Sequence, residues 1–302
     1  MTTRIVRAGV LDIAYREIGP SDGWPVILVH GFPYDALCYA GTASLLAASG
    51  ARVITPWMRG FGETGFVSAY TLRSGQQAAF GADLLCFMDA LHIDRAILGG
   101  FDWGGRAACV VAAIWPERVH ALVSAMGYNI LRENMAELAD TPENELRRWY
   151  IWYFLSPRGP KGLARHRQEF CQRLWSAWSP NWKYDQGAFD ASAQAFDNPD
   201  FVEVVIHSYR HRFGMVGGDP AYAEMERVLG QRPPIHVPTV AIDGDSDGVM
   251  PVGYRADLAS HFRGPREYRL LAGVGHNPPQ EDPKGFAEAV LAARRLAAVA
   301  SG

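Results

Sequence analysis

Short β-branched runs alternate with helix-like stretches over residues 1–128 and again after residue 232, which predicts an α/β chain with a mostly parallel sheet flanked by helices. The candidate strands read as continuous apolar runs, as expected of strands buried on both faces. Between the two halves, residues 129–232 are aromatic-rich and helical in period, with no clear strand. That block reads as a helical cap inserted between two strands of one sheet. The predicted organisation is a core domain of residues 1–128 and 233–302, with a cap domain of residues 129–232.

Each element has its own local signal. Val26-Ile27-Leu28-Val29 reads as a buried strand ending in the turn His30-Gly31-Phe32-Pro33. Arg52-Val53-Ile54-Thr55 is a second strand, followed by a glycine-rich loop, 59–65. Residues 71–90 have helical spacing, with Thr71 as N-cap and Phe80, Leu84, Phe87 and Met88 on one face. Ala96-Ile97-Leu98-Gly99 is a third strand, running through a glycine-rich turn into a helix over 106–114. Residues 119–125 return as a strand. After the cap come a strand at 238–243, a helix from about 252, a strand at 267–271 and an Ala-rich helix from about 284.

The 302 residues are 48% hydrophobic and 20% charged, enough for a sizeable core and too apolar for a disordered chain. The net charge of −3 leaves no electrostatic footprint for nucleic acid. No apolar run reaches the ~18 residues of a membrane span, and the first residues lack the apolar stretch of a signal peptide. Cys38, Cys86, Cys109 and Cys171 form no C-x-x-C pair and read as buried thiols in a reducing cytoplasm. Five of the nine tryptophans fall between residues 149 and 182 and suggest an aromatic wall.

The chemistry concentrates at Gly100-Phe101-Asp102-Trp103-Gly104. A strand–turn–helix with small residues flanking the central one is how a nucleophile elbow is built, because the strained backbone there excludes bulky neighbours. Asp is also a favoured helix N-cap, and in isolation that reading of Asp102 is equally good. Two partners favour the nucleophile: Asp247, in the loop after one late strand, and His276, in the loop after the next. The order nucleophile, acid, histidine is the one this architecture uses. A carboxylate suits displacement at a saturated carbon, which makes the enzyme one half of an ester. The turn that starts at His30 would supply part of an oxyanion hole.

The residues His30-Gly31-Phe32-Pro33, Gly100-Phe101-Asp102-Trp103-Gly104-Gly105, Pro116-Glu117-Arg118-Val119 and Gly275-His276 closely resemble those of soluble α/β-hydrolase-fold epoxide hydrolases, over essentially the whole chain. The Asp-Trp-Gly-Gly elbow belongs to the subset with an aspartate nucleophile, sister to the haloalkane dehalogenases. The resemblance implies two cap tyrosines that hydrogen-bond the epoxide oxygen. It places them at Tyr150, in Trp149-Tyr-Ile-Trp-Tyr-Phe154, and at Tyr209, in His207-Ser-Tyr-Arg210, with Tyr153 and His207 as alternates. Both tyrosines also sit at helical spacing in apolar stretches, where core packing is the ordinary explanation. Three positions depart from the family pattern. Phe101 stands where many relatives have His, Asn277-Pro-Pro-Gln280 follows the histidine in place of an aromatic run, and Thr55-Pro-Trp-Met-Arg-Gly60 lacks the usual Asp before Arg-Gly.

The resemblance implies a cytoplasmic, cofactor-independent epoxide hydrolase without a metal. Asp102 would be the nucleophile, His276 the base and Asp247 its orienting acid, with Tyr150 and Tyr209 as donors. The N–H groups of Phe32 and Trp103 would form the oxyanion hole, and Phe32, Trp103, Tyr153 and His207 would line the pocket. The partner is a small-molecule epoxide; if the chain assembles, a homodimer is expected. A haloalkane dehalogenase is the nearest rival, and a non-catalytic hydrolase-like binding protein a more distant one. Gly60-Phe-Gly-Glu-Thr-Gly65 matches a dinucleotide fingerprint only formally, since it opens no helix. Asp243, Asp245 and Asp247 mimic a calcium loop that has Tyr254 where a Glu is needed. Arg147-Arg148 and Arg210-His-Arg212 read as solvated helix faces.

Overall fold

The computed structural model describes residues 2–132, 135–137, 139–254 and 256–300. Among these residues nine strands form one mixed sheet: β1 Arg4–Ala8, β2 Leu11–Ile18, β3 Trp24–Val29, β4 Ala51–Pro56, β5 Gly65–Phe66, β6 Ala96–Gly100, β7 Val119–Ala125, β8 Thr239–Gly244 and β9 Arg266–Leu271. The spatial order is β1-β2-β4-β3-β6-β7-β8-β9, with β5 on β2. From β4 to β9 every pairing is parallel, while β2 runs antiparallel to β1, β4 and β5.

The core helices explain the continuous apolar strands. Helices α1 Ala40–Ala48, α2 Gln77–Ala90 and α3 Asp102–Ile114 follow β3, β5 and β6 in the chain. All five residues of β6 are buried, as are Val26, Ile27, Leu28 and Val29 of β3. Burying each such aliphatic side chain contributes about 1.5–3 kcal/mol. A Cβ at Gly81 of α2 would lie 2.2 Å from Val110 Cγ1 of α3, so these helices approach closely because that position is glycine.

Between β7 and β8 lie α4 Pro142–Arg147, α5 Trp149–Leu155, α6 Arg158–Arg165, α7 Arg167–Trp178, α8 Gln186–Ala193, α9 Phe201–Arg212 and α10 Ala223–Gly230. Polar bonds dock these helices on the sheet half. Arg73 Nε donates to Asp200 at 2.9 Å, Ser192 Oγ donates to Asp35 at 2.7 Å, and the Trp175 indole donates to Pro33 O at 2.7 Å. Short α11 Pro278–Glu281 and long α12 Pro283–Ala300 close the fold. Among the described residues no helix is long and apolar enough to cross a membrane.

Three helix boundaries differ from the sequence reading, the first being α3, which begins at Asp102 and not at residue 106. Helix α2 starts at Gln77, with Gln76 and not Thr71 at its N-cap. Residues 71–76 are non-helical, and Arg73 Nη1 caps the carbonyls of Ser68, Ala69 and Thr71. After β8 the chain forms turns and a 3₁₀ helix, Ala256–His261, in place of a helix from 252. The missing aspartate before Arg59 is replaced from a distance: the buried guanidinium forms a two-pronged pair with Asp83 of α2, both bonds 2.6 Å.

Candidate active site

Asp102 stands at the junction of β6 and α3 with φ +49°, in the left-handed region that a side chain rarely adopts. Such a conformation costs on the order of 1–3 kcal/mol and persists where the surroundings over-determine it. They do so here by close approach: a Cβ on Gly104 would lie 1.9 Å from Val29 O. The turn therefore pushes the Asp102 carboxylate out over the C-terminal edge of the sheet.

Asp102 is held asymmetrically. Oδ1 accepts the Phe32 N–H at 2.9 Å, and the Trp103 N–H also donates to the carboxylate. Oδ2 faces His276 Nε2 at 3.8 Å. On the far side of the ring, His276 Nδ1–H donates to Asp247 Oδ2 at 2.8 Å. Asp247 Oδ1 accepts the N–H groups of Val249 and Met250, both at 2.8 Å, so its orientation is fixed by backbone. His276 and Asp247 are buried.

Electrostatics follow from this chain of charges. Burial opposes the charged imidazole, but Asp247 and Asp102 outweigh it and raise the His276 pKa to about 10. Burial likewise opposes the Asp102 carboxylate, yet His276, Arg106 and the Trp103 N–H hold its pKa below the usual range. His30 behaves oppositely: burial lowers its pKa to about 4. Its neutral ring donates through Nδ1 to Gly31 O at 3.0 Å and accepts the Met58 N–H at Nε2 at 3.1 Å, which shapes the turn presenting Phe32.

Helices α5 and α9 bring Tyr150 and Tyr209 over this group, their rings edge-to-face with centroids 5.6 Å apart. Arg210 ties the helices together, donating to Phe154 O at 3.1 Å and to Ser156 O at 2.9 Å. Burial raises both phenol pKa values; the Asp102 charge adds to the effect at Tyr150, and Tyr150 and Asp102 add to it at Tyr209. Asp102, Tyr150, Tyr209 and His276 all line one cavity of about 100 Å³.

The other sequence candidates lie elsewhere. Phe32 and Trp103, expected in the pocket lining, are fully buried and do not line this cavity; their rings stack with centroids 5.5 Å apart, so they offer the site their backbone rather than their side chains. Tyr153 stacks on Phe170, and His207 Nδ1 accepts the Gly75 N–H at 3.1 Å; neither lines the cavity. The aromatic wall is divided. Trp178 packs edge-on against His276, centroids 4.8 Å apart, and Trp175 stacks on Tyr34, whereas Trp149 and Trp152 are partly solvent-exposed. The calcium-like aspartates point to separate partners: Asp243 accepts from Tyr268, Asp245 from the Gly273 N–H, and Asp247 as above.

Sequence reading overlooked several residues. Ser179, at the end of α7, accepts the His276 N–H at 3.1 Å and donates to Glu281 Oε1 at 2.6 Å. Glu281 also accepts the N–H groups of Gly275 and Asn277, at 2.7 and 2.8 Å, and so cradles the histidine loop. The arginine pairs are not solvated faces: Arg148 binds Asp140 and Tyr254 in the cavity wall, and Arg212 lies over the Tyr209 ring at 4.3 Å.

Comparison with known proteins bears on the family and the fold. A family model described as alpha/beta hydrolase fold matches residues 25–283. Epoxide hydrolase A of Mycobacterium tuberculosis is 25% identical, over 96% of each chain. A Klebsiella pneumoniae protein, described with its crystal structure as a candidate epoxide hydrolase, is 46% identical with a TM-score of 0.95, covering 97% of each chain. A loop variant of a Bradyrhizobium elkanii haloalkane dehalogenase shares the fold at 19% identity, with a TM-score of 0.79 over 99% of this chain and 98% of its own. The chain belongs to the alpha/beta hydrolase fold family.

Proposed function

We propose that this protein is an epoxide hydrolase that opens an epoxide to a vicinal diol through a hydroxyalkyl ester on Asp102. The observation that carries the reading is one cavity lined by a carboxylate, its histidine partner and two phenols. Its relatives named as epoxide hydrolases support the same activity. Residues 129–232 serve as the cap and the remainder as the core. The location is cytoplasmic, in keeping with thiols rather than disulfides at Cys38, Cys86, Cys109 and Cys171.

In the first half-reaction Asp102 Oδ2 attacks an epoxide carbon, since Oδ1 is engaged by Phe32. The carbon–oxygen bond of the ring breaks, and a phenol of Tyr150 or Tyr209 protonates the departing oxygen. Phenols kept protonated by burial suit that task at neutral pH. Ester formation removes the Asp102 charge and with it part of what keeps His276 protonated. The imidazolium proton then returns to the phenolate, and His276 becomes a base.

In the second half-reaction His276, oriented by Asp247, takes a proton from water as the water oxygen bonds to the Asp102 carbonyl carbon. The oxyanion forms at Oδ1, which the Phe32 N–H already meets, with the Trp103 N–H on the same carboxylate as second donor, each worth about 3 kcal/mol. Collapse expels the diol oxygen, protonated by His276. The proton left on the Asp102 carboxyl then passes to His276, which restores the resting ion pair. The sum is epoxide plus water to diol.

The rival dehalogenase reading has one observation behind it: the indole N–H groups of Trp103 and Trp178 are buried without an acceptor among the described residues. Neither lines the cavity that holds Asp102, however, whereas the phenols do. Styrene oxide and a bromoalkane, assayed side by side, test the choice. Diol from the epoxide is expected; halide release with no diol would reject the reading.

A further inference from the structure

The catalytic cavity adjoins a second, more polar chamber of about 430 Å³, and three residues line both: Arg106, Leu131 and Arg212. Each arginine is also tied by sequence to a proposed catalytic group. Arg106 lies one helical turn after Asp102 on α3, and Arg212 lies three residues after Tyr209 on α9, so both project from the same helix side as their catalytic neighbours.

Other arginines of these walls are committed to carboxylates: Arg148 to Asp140, and Arg227 to Glu224. Arg212 is different. Its Nε and Nη2 donate to Ser208 O and Oγ, each at 3.2 Å, its guanidinium carbon lies 4.3 Å over the Tyr209 ring, and among the described residues no carboxylate lies within 4.0 Å. Arg106 is buried, with Nε donating to Asn129 O at 3.3 Å. The chamber also holds His211 and Glu226; the Glu226 carboxylate accepts from the Ala78 N–H and Gln77 and faces the charge of Arg106, which leaves Arg212 as the guanidinium for a ligand. A partly buried guanidinium without a counter-charge, beside a reactive group, marks a place for an anion.

We infer that this arginine-walled chamber is a substrate subsite, and that the preferred substrates are epoxides carrying a carboxylate, which Arg212 holds while the ring lies between Asp102 and the phenols. The inference rests on the epoxide hydrolase reading. The planar guanidinium can accept a carboxylate through two parallel hydrogen bonds, which would orient the ring as well as bind it.

The test compares 3-phenylglycidate with its uncharged amide, 3-phenylglycidamide. The wild-type enzyme is expected to favour the carboxylate by about tenfold or more in kcat/KM, the scale of one charge-assisted hydrogen bond. Arg212→Gln should lose about tenfold more on the carboxylate than on the amide, and Arg212→Lys should recover part of the preference. Binding of cinnamate, which lacks the epoxide, should be tighter than that of cinnamamide and should weaken in Arg212→Gln. Equal losses on both epoxides, or no preference in the wild type, would overturn the subsite and leave the epoxide hydrolase reading intact. If neither epoxide nor styrene oxide is opened, both fall.

Discussion

Gly31 leaves Asp102 no spare room: a Cβ on Gly31 would sit 2.5 Å from Asp102 Cβ and 2.7 Å from its Oδ1. The missing side chain lets the turn at 30–33 place the Phe32 N–H against that oxygen. Gly31→Ala is therefore expected to displace the carboxylate from its donor and cut turnover about 100-fold or more, the scale of losing one oxyanion donor. Steady-state kinetics on a variant with an unchanged circular dichroism spectrum checks this; a rate within a few-fold of wild type would contradict the packing argument.

The ester route has an isotopic signature. A single turnover in ¹⁸O-water should leave the label in Asp102, because water adds to the enzyme's carboxyl carbon. His276→Gln should accumulate enzyme heavier by the mass of one substrate. Label found first in the diol, or a folded variant that never gains mass, would reject this route.

Tyr150 and Tyr209 share one task across a 5.6 Å ring pair. Either Tyr→Phe change should leave a reduced rate of ring opening, and the double change should abolish it, since among the described residues no other phenol lines the cavity beside Asp102 except Tyr254, which already donates to Asp140. Stopped-flow measurement of ester formation distinguishes the three variants.

Ser179→Ala removes the acceptor of the buried His276 N–H and a donor to Glu281. Leaving such a group unpaired costs about 1–3 kcal/mol, and the loop bearing the base should shift. Ester hydrolysis is expected to slow more than ester formation, so alkylated enzyme should build up during turnover. Intact-mass spectrometry reads the intermediate directly; unchanged partition between the two steps would remove Ser179 as a positioning residue.

Stability should fall on the alkaline side. His276 has a folded pKa of about 10 against an ordinary value of 6.5, so the folded state holds a proton that the unfolded state has lost between those values. The contribution is fully present below pH 6.5 and disappears as pH rises through 10, at no more than about 1.4 kcal/mol per pH unit from this group. Urea unfolding at pH 7 and pH 9.5 should show the decline, and His276→Gln should flatten it.

Local pattern made much of this legible. Strands β3, β6, β7 and β8 are continuous apolar runs, and the elbow announces itself by glycines around Asp102. The β1–β2 hairpin is harder to read, because β1 lies at the sheet edge with Arg4, Ile5 and Arg7 exposed and no alternation to betray it. Tyr150 and Tyr209 could be picked out by resemblance but not by period, which cannot separate a cavity wall from a core. The roles of Ser179, Glu281, Arg210 and Arg212 are illegible in one dimension. Each depends on a partner brought near by folding, often far along the chain, and nothing in a short window encodes such a meeting.

The last turn of α7 touches both loops of the relay: Trp178 O accepts the Gly248 N–H at 2.9 Å, next to Asp247, and Ser179 Oγ accepts the His276 N–H. A chimaera that grafts a relative's cap onto this core would thus exchange more than a pocket. It would also replace two of the struts that set the base and its acid, so selectivity and turnover should be inherited together, and splice points that keep residues 178 and 179 with the core should give the more active hybrids.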